Sequence, residues 1–232
     1  MRKTILAALL SVVATGYTFG NEVYISQIGD NLDLDIVQAG SGNRIGNITG
    51  TTPVTLNGDD MTFSITQTGD SNAIDATIYG NNYTGTWSFT GDSNTVDLLC
   101  SSTDSTTCET VTLNITTNGD SNDFTIKIGE VADADNVIAN FTIDGDGNVI
   151  TANLDSADAD VTVDIDNSAS LAGGNTFTID QDGAAGVNGH TATVDMTGGG
   201  NTINVTQSGL NDQTVNITTS GDNQTIDVTQ GD

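Results

Sequence analysis

The side chains that most often perform catalysis are scarce in this sequence. It has one histidine, His190, and two cysteines, Cys100 and Cys108. His190 lies among small polar residues with no identifiable acid or nucleophile beside it, so no Ser–His–Asp triad is predicted and we interpret it as a solvated loop residue. Carboxylates are abundant, but no pair stands out as acid and base. We therefore expect a protein that is not an enzyme and that has no cofactor.

The two cysteines are separated by a short loop. In a secreted chain an isolated pair of this kind is most simply a disulfide, Cys100–Cys108. Such a bond would clamp the loop and stabilise the fold by roughly 2–3 kcal/mol. The alternative is a metal site, but no further cysteine and no histidine lie near the pair.

Calcium is the one ion that the sequence offers ligands for. The run Asp144-Gly-Asp146-Gly-Asn148 resembles the start of an EF-hand loop, although Val149 stands at the glycine position and Asp155 at the closing glutamate position. The candidate ligands are Asp144, Asp146 and Asp155. They belong to a wider acidic group, which comprises Glu130, Asp133, Asp135, Asp144, Asp146, Asp155, Asp158, Asp160, Asp164 and Asp166. We expect adventitious calcium binding there at most.

A repeated turn organises the rest of the chain. Gly-Asp-Ser-Asn occurs at Gly69, Gly91 and Gly119, and looser copies of the turn occur elsewhere. The corner glycines are Gly40, Gly69, Gly91, Gly119, Gly145, Gly198 and Gly221, with Ala172 in the place of one more. Glycine tolerates positive φ, and Asp, Ser and Asn bond their own backbone in turns. A repeat of this length predicts a solenoid in which each unit stacks on the next.

The segments beside each turn alternate between apolar and polar residues. Around Gly69 the residues expected to face inward are Phe63, Ile65, Gln67, Asn72, Ile74, Ala76 and Ile78. Strict alternation is typical of a strand with one buried face. The predicted fold is therefore all-β, a β-solenoid of two-stranded coils with Gly-x-x-Asn corners and two sheets packed face to face.

The distance between corners varies from 22 to 29 residues, while the strand lengths hold. The extra residues are therefore expected at the opposite edge, as inserts at about 50–60, 100–108, 129–136, 155–160 and 182–190. Eight corners predict about eight coils and a rod about 40 Å long. We expect residues 21–232 to form this single domain.

Amide side chains occupy inward positions that apolar residues would usually fill. The predicted interior or assembly amides are Gln27, Gln38, Asn43, Gln67, Asn72, Asn94, Asn122, Asn148, Asn175, Gln181, Asn201, Gln207, Gln224 and Gln230. We expect them to form hydrogen-bonded ladders, concentrated in the terminal coils.

These repeats resemble those of curlin, the subunit of bacterial curli amyloid fibres, with the pattern Ser-x5-Gln-x-Gly-x2-Asn-x-Ala-x3-Gln. Gly198-x2-Asn201-x-Ile203-x3-Gln207 matches its second half, apart from isoleucine for alanine. Gln67-x-Gly69-x2-Asn72 matches its centre. The first copy has Gln27-x-Gly29, Leu34 and Gln38, but Leu32 at the asparagine position. In the middle of the chain the glutamine positions are apolar, at Phe89, Cys100, Ile128, Ile143 and Leu154.

The resemblance implies a secreted fibre subunit with a part in cell adhesion, biofilm or a surface coat, assembled as a linear homopolymer, with or without a nucleator subunit. One alternative is a discrete solenoid that does not polymerise, such as an adhesin, a nucleator or a virion or tail component. A remote alternative is ice binding, because Thr62/Ser64/Thr66, Thr86/Ser88/Thr90 and Thr112/Asn114/Thr116 would form an outward array. Asp164, Asp195 and Asn216 interrupt that array.

The N-terminal residues predict a secreted protein, and the net charge excludes some classes of partner. Residues 1–20 are interpreted as a signal peptide, with Arg2 and Lys3 before an apolar run that is too short to span a bilayer. Two cleavage sites fit, after Gly16 or after Gly20. Loss of Arg2 and Lys3 takes the net charge from −27 to −29. Such an anion repels nucleic acids, and no membrane span is predicted.

Overall fold

The protein is a β-solenoid of two parallel sheets. The computed structural model describes residues 10–13, 21–40, 42–46, 53–69, 71–91, 93–100, 108–119, 121–129, 134–145, 147–166, 174–182, 189–208, 213–221 and 223–231. These residues contain no α-helix, and hence no helix long and apolar enough to cross a membrane. The prediction of an all-β solenoid is confirmed.

Twenty strands make up the described fold. In chain order they are β1 (Leu10–Val13), β2 (Glu22–Val23), β3 (Ser26–Ile28), β4 (Asp33–Ala39), β5 (Arg44–Ile45), β6 (Val54–Asn57), β7 (Met61–Thr68), β8 (Ser71–Tyr79), β9 (Tyr83–Thr90), β10 (Ser93–Cys100), β11 (Val111–Asn118), β12 (Ser121–Ile128), β13 (Ala134–Asp144), β14 (Gly147–Leu154), β15 (Ser156–Asp166), β16 (Gly174–Asp182), β17 (Thr191–Thr197), β18 (Gly200–Ser208), β19 (Thr214–Ser220) and β20 (Thr225–Gln230).

Successive strands alternate between the two sheets. The first sheet has the order β1-β4-β7-β9-β11-β13-β15-β17-β19, and the second has β2-β5-β8-β10-β12-β14-β16-β18-β20, with β3 and β6 beside them. The chain thus runs along one sheet, turns a corner and returns along the other. Six coils, from β7/β8 to β17/β18, have two continuous strands, and less complete coils flank them. The predicted number of about eight coils is therefore approximate.

The core lies between the sheets and consists of stacked columns. All seven residues expected to face inward around Gly69 are buried, from Phe63 to Ile78. The register pairs each with its equivalent in the next coil, as in Ile74 with Val96 and Val96 with Phe124. In columns of this kind apolar residues stack on apolar residues, and their burial stabilises the coils against one another.

Three of the predicted inserts are wrong in part, because strands extend into them. Val54–Asn57 is β6 and pairs with β8. Residues 134–136 begin β13 and residues 156–160 begin β15, where Ala134 pairs with Ser156. Val54–Asn57 forms a separate strand, and the other two segments lengthen β13 and β15, so that all three gain backbone hydrogen bonds. Residues 101–107 and 183–188, within the two other inserts, lie outside the described part of the chain.

Contact between coils explains the corner glycines. The amide of Gly69 donates to the carbonyl of Thr90 at 2.8 Å, and the amide of Gly91 donates to that of Asn118 at 3.0 Å. Each corner therefore sits directly on the one before it. Gly198 also has a φ of 96°, a conformation that a side chain would strain.

Substitution of a corner glycine tests this contact. A methyl group at Gly91 would collide with the carbonyl oxygen of Gly69 and lie 2.6 Å from Nδ2 of Asn72. We expect Gly91→Ala to lower the free energy of unfolding by about 1–3 kcal/mol, measured by urea denaturation. Thr90→Ala, at the exposed residue before the corner, is the control and should change stability little. Equal effects of the two substitutions would contradict close corner stacking.

Candidate functional site

A ladder of asparagine side chains runs through the corners of the solenoid. Nδ2 of each asparagine donates to Oδ1 of the next, over 2.6–2.8 Å. The members joined in this way are Asn21, Asn43, Asn72, Asn94, Asn122 and Asn148. Every donor points toward the C-terminal end of the rod. The ladder therefore has a direction.

The asparagine column continues toward the C-terminal end. Asn175 and Asn201 are buried and in register with Asn148. The orientation of the Asn201 amide that satisfies its surroundings directs Nδ2 at the carbonyl oxygens of Gly199 and Gly198, at 2.6 and 2.8 Å. The expectation that the asparagines concentrate in the terminal coils is wrong. Each coil needs one, because its Nδ2 also bonds the corner backbone, as in Asn148 to Gly145 at 2.8 Å.

Asn21 also belongs to the ladder, although it was not among the predicted amides. Asn21 is buried and donates to Asn43 Oδ1 at 2.7 Å and to the carbonyl of Ala39 at 3.1 Å. Its distance of 22 residues from Asn43 equals that from Asn72 to Asn94, and this spacing could have found it. It was not predicted because Thr18, and not a glycine, stands three residues before it. Asn21 is the amide at the N-terminal end of the ladder.

The glutamines form shorter columns, as expected, near the two ends. Gln67 Nε2 donates to Gln38 Oε1 at 2.7 Å, and both side chains are buried. This donor points toward the N-terminal end, opposite to the asparagine ladder. Gln181 and Gln207 are buried and in register, and Gln207 Nε2 donates to the carbonyl of His190 at 2.9 Å.

The first curlin-like copy lies half a coil out of phase with the others. Gln27 is in register with Leu56, whereas Gln67 is in register with Gln38 on the other sheet. The Gly29 turn therefore belongs to the edge opposite the Gly69 corner. This explains why Leu32, and not an asparagine, follows it.

Amide groups without partners lie at the N-terminal end. Within the described part of the chain, Gln38 Nε2 and Gln27 Oε1 are buried and make no hydrogen bond. Leaving a buried polar group unsatisfied costs about 1–3 kcal/mol. Oε1 of the same Gln38 side chain already accepts a hydrogen bond from Gln67 in the next coil. Nε2 is therefore free to donate away from that coil.

The C-terminal end exposes residues that are core residues in every other coil. All six residues of β20 are exposed, including Ile226 and Val228 at 44% each. Val215 and Ile217 of β19 are partly buried. Gln224 and Gln230 were predicted as interior amides, and as interior positions they are wrong: both are exposed, because no coil follows β20 among the described residues.

The interpretation of His190 as a solvated loop residue is wrong. Its side chain is fully buried, because the register places it in the inward column between Ala159 and Gln213. Within the described residues neither ring nitrogen has a hydrogen-bond partner, and neither does Oε1 of Gln181 or of Gln207. Buried polar atoms without a hydrogen-bond partner are more concentrated at this edge than elsewhere in the described interior. Sequence pattern alone did not find it because the neighbouring residues are small and polar.

The two cysteines form a disulfide. Cys100 and Cys108 are joined with a Cα–Cα distance of 6.0 Å, and both are buried. Cys100 lies in the column of Ile78 and Ile128. The bond therefore links the end of β10 to Cys108, three residues before β11.

The structure does not bring the calcium candidates together. Asp144 ends β13 at the corner edge, and Asp155 follows β14 at the opposite edge. The length of β14 separates the two residues by roughly 30 Å. Asp146 lies outside the described residues. Within the described ranges, no three His, Cys, Asp or Glu side chains group as metal ligands.

Outward carboxylates stack in register on both faces. Asp75 pairs with Asp97, Asp164 with Asp195, and Asp144 with Asp166. Burial, and then the charge of Asp97, raises the pKa of Asp75 above its ordinary value. Like charges directly opposite each other destabilise a sheet.

Breaking the ladder at its centre tests its contribution. Asn94 accepts from Asn72 and donates to Asn122, so Asn94→Leu removes two buried hydrogen bonds at similar volume. We expect a loss of about 1–3 kcal/mol in the free energy of unfolding. Asn57→Leu, at an exposed position of β6, is the control. If both variants unfold at the same urea concentration, the ladder does not stabilise the fold.

The Asp75–Asp97 pair predicts a pH dependence. Because the folded-state pKa of Asp75 is raised, its contribution to stability is complete below the unfolded pKa and is lost as the pH rises through the folded pKa. We expect Asp75→Asn to raise the melting temperature at pH 7 and to have little effect below about pH 4. Asp123→Asn is the control, since no carboxylate is in register with Asp123. A lower melting temperature for Asp75→Asn at pH 7 would contradict this.

Comparisons with known proteins return no match. No family model, no curated protein and no solved structure matches the chain. The resemblance to curlin thus stays a prediction from the residues.

Proposed function

We propose that this protein is a structural subunit of an extracellular curlin-like fibre, in which copies stack end to end through their terminal strands. The main support is that the exposed last strand repeats the pattern of the first strand of the same sheet. The inward positions of β20 are Gln224, Ile226, Val228 and Gln230, and those along β2 and β3 are Asn21, Val23, Ile25 and Gln27. Placed in register, amides meet amides and apolar residues meet apolar residues in all four columns.

The first sheet offers a similar match. There β19 would stack on β4, with Val215 and Ile217 over Leu34 and Ile36. Thr219 would lie over Gln38, so that its hydroxyl could accept from the unpartnered Nε2 of Gln38. Burial of these apolar residues and pairing of the free backbone edges would both favour association.

The direction of the ladders selects a head-to-tail arrangement. In the asparagine ladder the donors point toward the C-terminal end, and in the Gln38–Gln67 pair the donor points toward the N-terminal end. Gln224 of one copy could therefore donate to Asn21 of the next, while Gln38 donates in the opposite sense. In the asparagine ladder, two C-terminal ends placed together would oppose donors to donors, and two N-terminal ends would oppose acceptors to acceptors.

The outward residues at the junction avoid like charges. In the same register Thr225, Asp227 and Thr229 would lie beside Glu22, Tyr24 and Ser26. No two carboxylates meet there. A shift of the register by two residues would set Asp227 against Glu22, which repel each other.

The assembled fibre would have a strongly acidic surface. The net charge of −29 expected after leader removal would keep fibres apart laterally at low ionic strength, and salt would screen this repulsion. Roles in adhesion, biofilm or a surface coat follow from the resemblance to curlin, as does a nucleator partner.

The discrete solenoid is the second candidate. An adhesin, nucleator or virion component could use the same rod without polymerising. Ice binding has less support. The threonine, serine and asparagine array extends in register over β7, β9 and β11, and Asp164 and Asp195 interrupt it in later coils.

Charges introduced at the last strand test the fibre. In protein freed of residues 1–20, we expect unbranched fibres with a meridional repeat of about 4.7–4.8 Å. Ile226→Lys should abolish fibre growth, because it places a charge in an apolar column of the junction. Thr225→Lys is the matched control: it adds the same charge to the outward face of the same strand and should leave growth intact.

Fibre growth is followed by thioflavin fluorescence and negative-stain electron microscopy at low and high salt, with and without calcium. Monomeric rods under every condition would overturn the fibre and favour the discrete solenoid. Equal growth of Ile226→Lys and Thr225→Lys would show that fibres form through another surface.

A further inference from the structure

A strand from the N-terminal segment already occupies the edge on which a second copy would stack. β1 pairs in parallel with β4, with Leu10 in register with Ile36 and Val13 with Ala39. The place beside β4 is the one that β19 of a second copy would take under the proposed function.

β1 follows the winding of the solenoid. In each coil a strand of the first sheet leads through the corner to a strand of the second sheet, as β7 leads to β8. In chain order β1, which belongs to the first sheet, likewise precedes Asn21 and β2, which begin the second sheet. The segment thus stands as a half-coil before the first coil.

We propose that residues 10–13, while attached, act as an intramolecular cap that holds the protein out of fibres, and that their removal opens the N-terminal end for stacking. This inference rests on the proposed function, whose assembly surface it regulates. It concerns precursor molecules that fold before the leader is cleaved. An attached strand competes at a high effective concentration with the strand of a second molecule.

The cap is incomplete, which makes it displaceable. It spans Ile36–Ala39, four of the seven residues of β4, and in the described structure no strand covers β2 and β3 on the same side. Val12 is in register with Gln38 and has no hydrogen-bonding side chain, and Gln38 Nε2 is without a partner. A second copy would bring Thr219 to this place. The second copy therefore fits the edge chemically better than the leader does.

The experiment uses the full chain with a specific protease site inserted between Gly20 and Asn21. Hydrogen exchange is measured on the monomer at low concentration, before and after cleavage, and fibre growth is then followed at high concentration. We expect the amides of Val37 and Ala39, which face β1 because Gly40 donates toward β7, to exchange more slowly in the intact chain. Fibre growth should be absent from the intact chain and begin on cleavage.

A second variant separates capping from other effects of the leader. Ser11→Pro/Val12→Pro in the intact chain removes two backbone donors and disfavours β1, so it should grow fibres without cleavage. Ser11→Ala/Val12→Ala keeps the backbone donors and should stay capped. Restored growth in the proline variant alone would support the cap.

The outcomes separate the two proposals. Equal exchange at Val37 and Ala39 and equal fibre growth before and after cleavage would overturn the cap and leave the fibre standing. Slower exchange in the intact chain, with no fibres from either form, would overturn the fibre and the regulatory role together. Growth of the alanine and proline variants at one rate would also overturn the cap.

Discussion

The parallel, in-register stacking of coils is the constraint on which the whole structure depends. Each inward side chain lies in register with inward side chains of the neighbouring coils, so its chemistry must suit theirs. Apolar residues meet this requirement by contact. Asparagine meets it because a carboxamide carries both donor and acceptor and can bond an identical neighbour on each side. A column of buried serines or carboxylates could not repeat this hydrogen bond from coil to coil in the same way.

The same constraint explains how much the sequence could predict. Alternation predicted the buried residues from Phe63 to Ile78, because a strand with one solvated face needs a period of two. The corner glycines recur in the sequence because the carbonyl of one corner leaves no room for a side chain at the next, and this recurrence predicted the corners. Asn72, Asn94 and Asn122 follow these corners at a fixed distance, so the central part of the ladder could be read directly.

The features that the sequence did not predict depend on register across long separations. His190 is buried because β15 and β19 align their inward columns with it, and its own neighbours give no hint of this. Residues 156–160 read as an insert by spacing, yet they pair with the start of β13. The pairing of β1 with β4 likewise joins the apolar N-terminal segment to a strand far from it in the sequence. In each case the structure of the segment depends on its pairing with another coil, and the local sequence pattern does not specify that pairing.

Charge distinguishes stacking within one chain from stacking between chains. Inside the rod, carboxylates such as Asp164 and Asp195 lie opposite each other, and the covalent connection between coils offsets their repulsion. Two separate molecules lack that connection and also lose translational freedom on association. A junction between copies must therefore be freer of facing carboxylates than the interior of the rod. β20 carries a single carboxylate, Asp227, and the register that matches its inward residues to those of β2 and β3 sets it beside Tyr24. The distribution of acidic residues thus makes the ends better suited than the faces to the association that we propose.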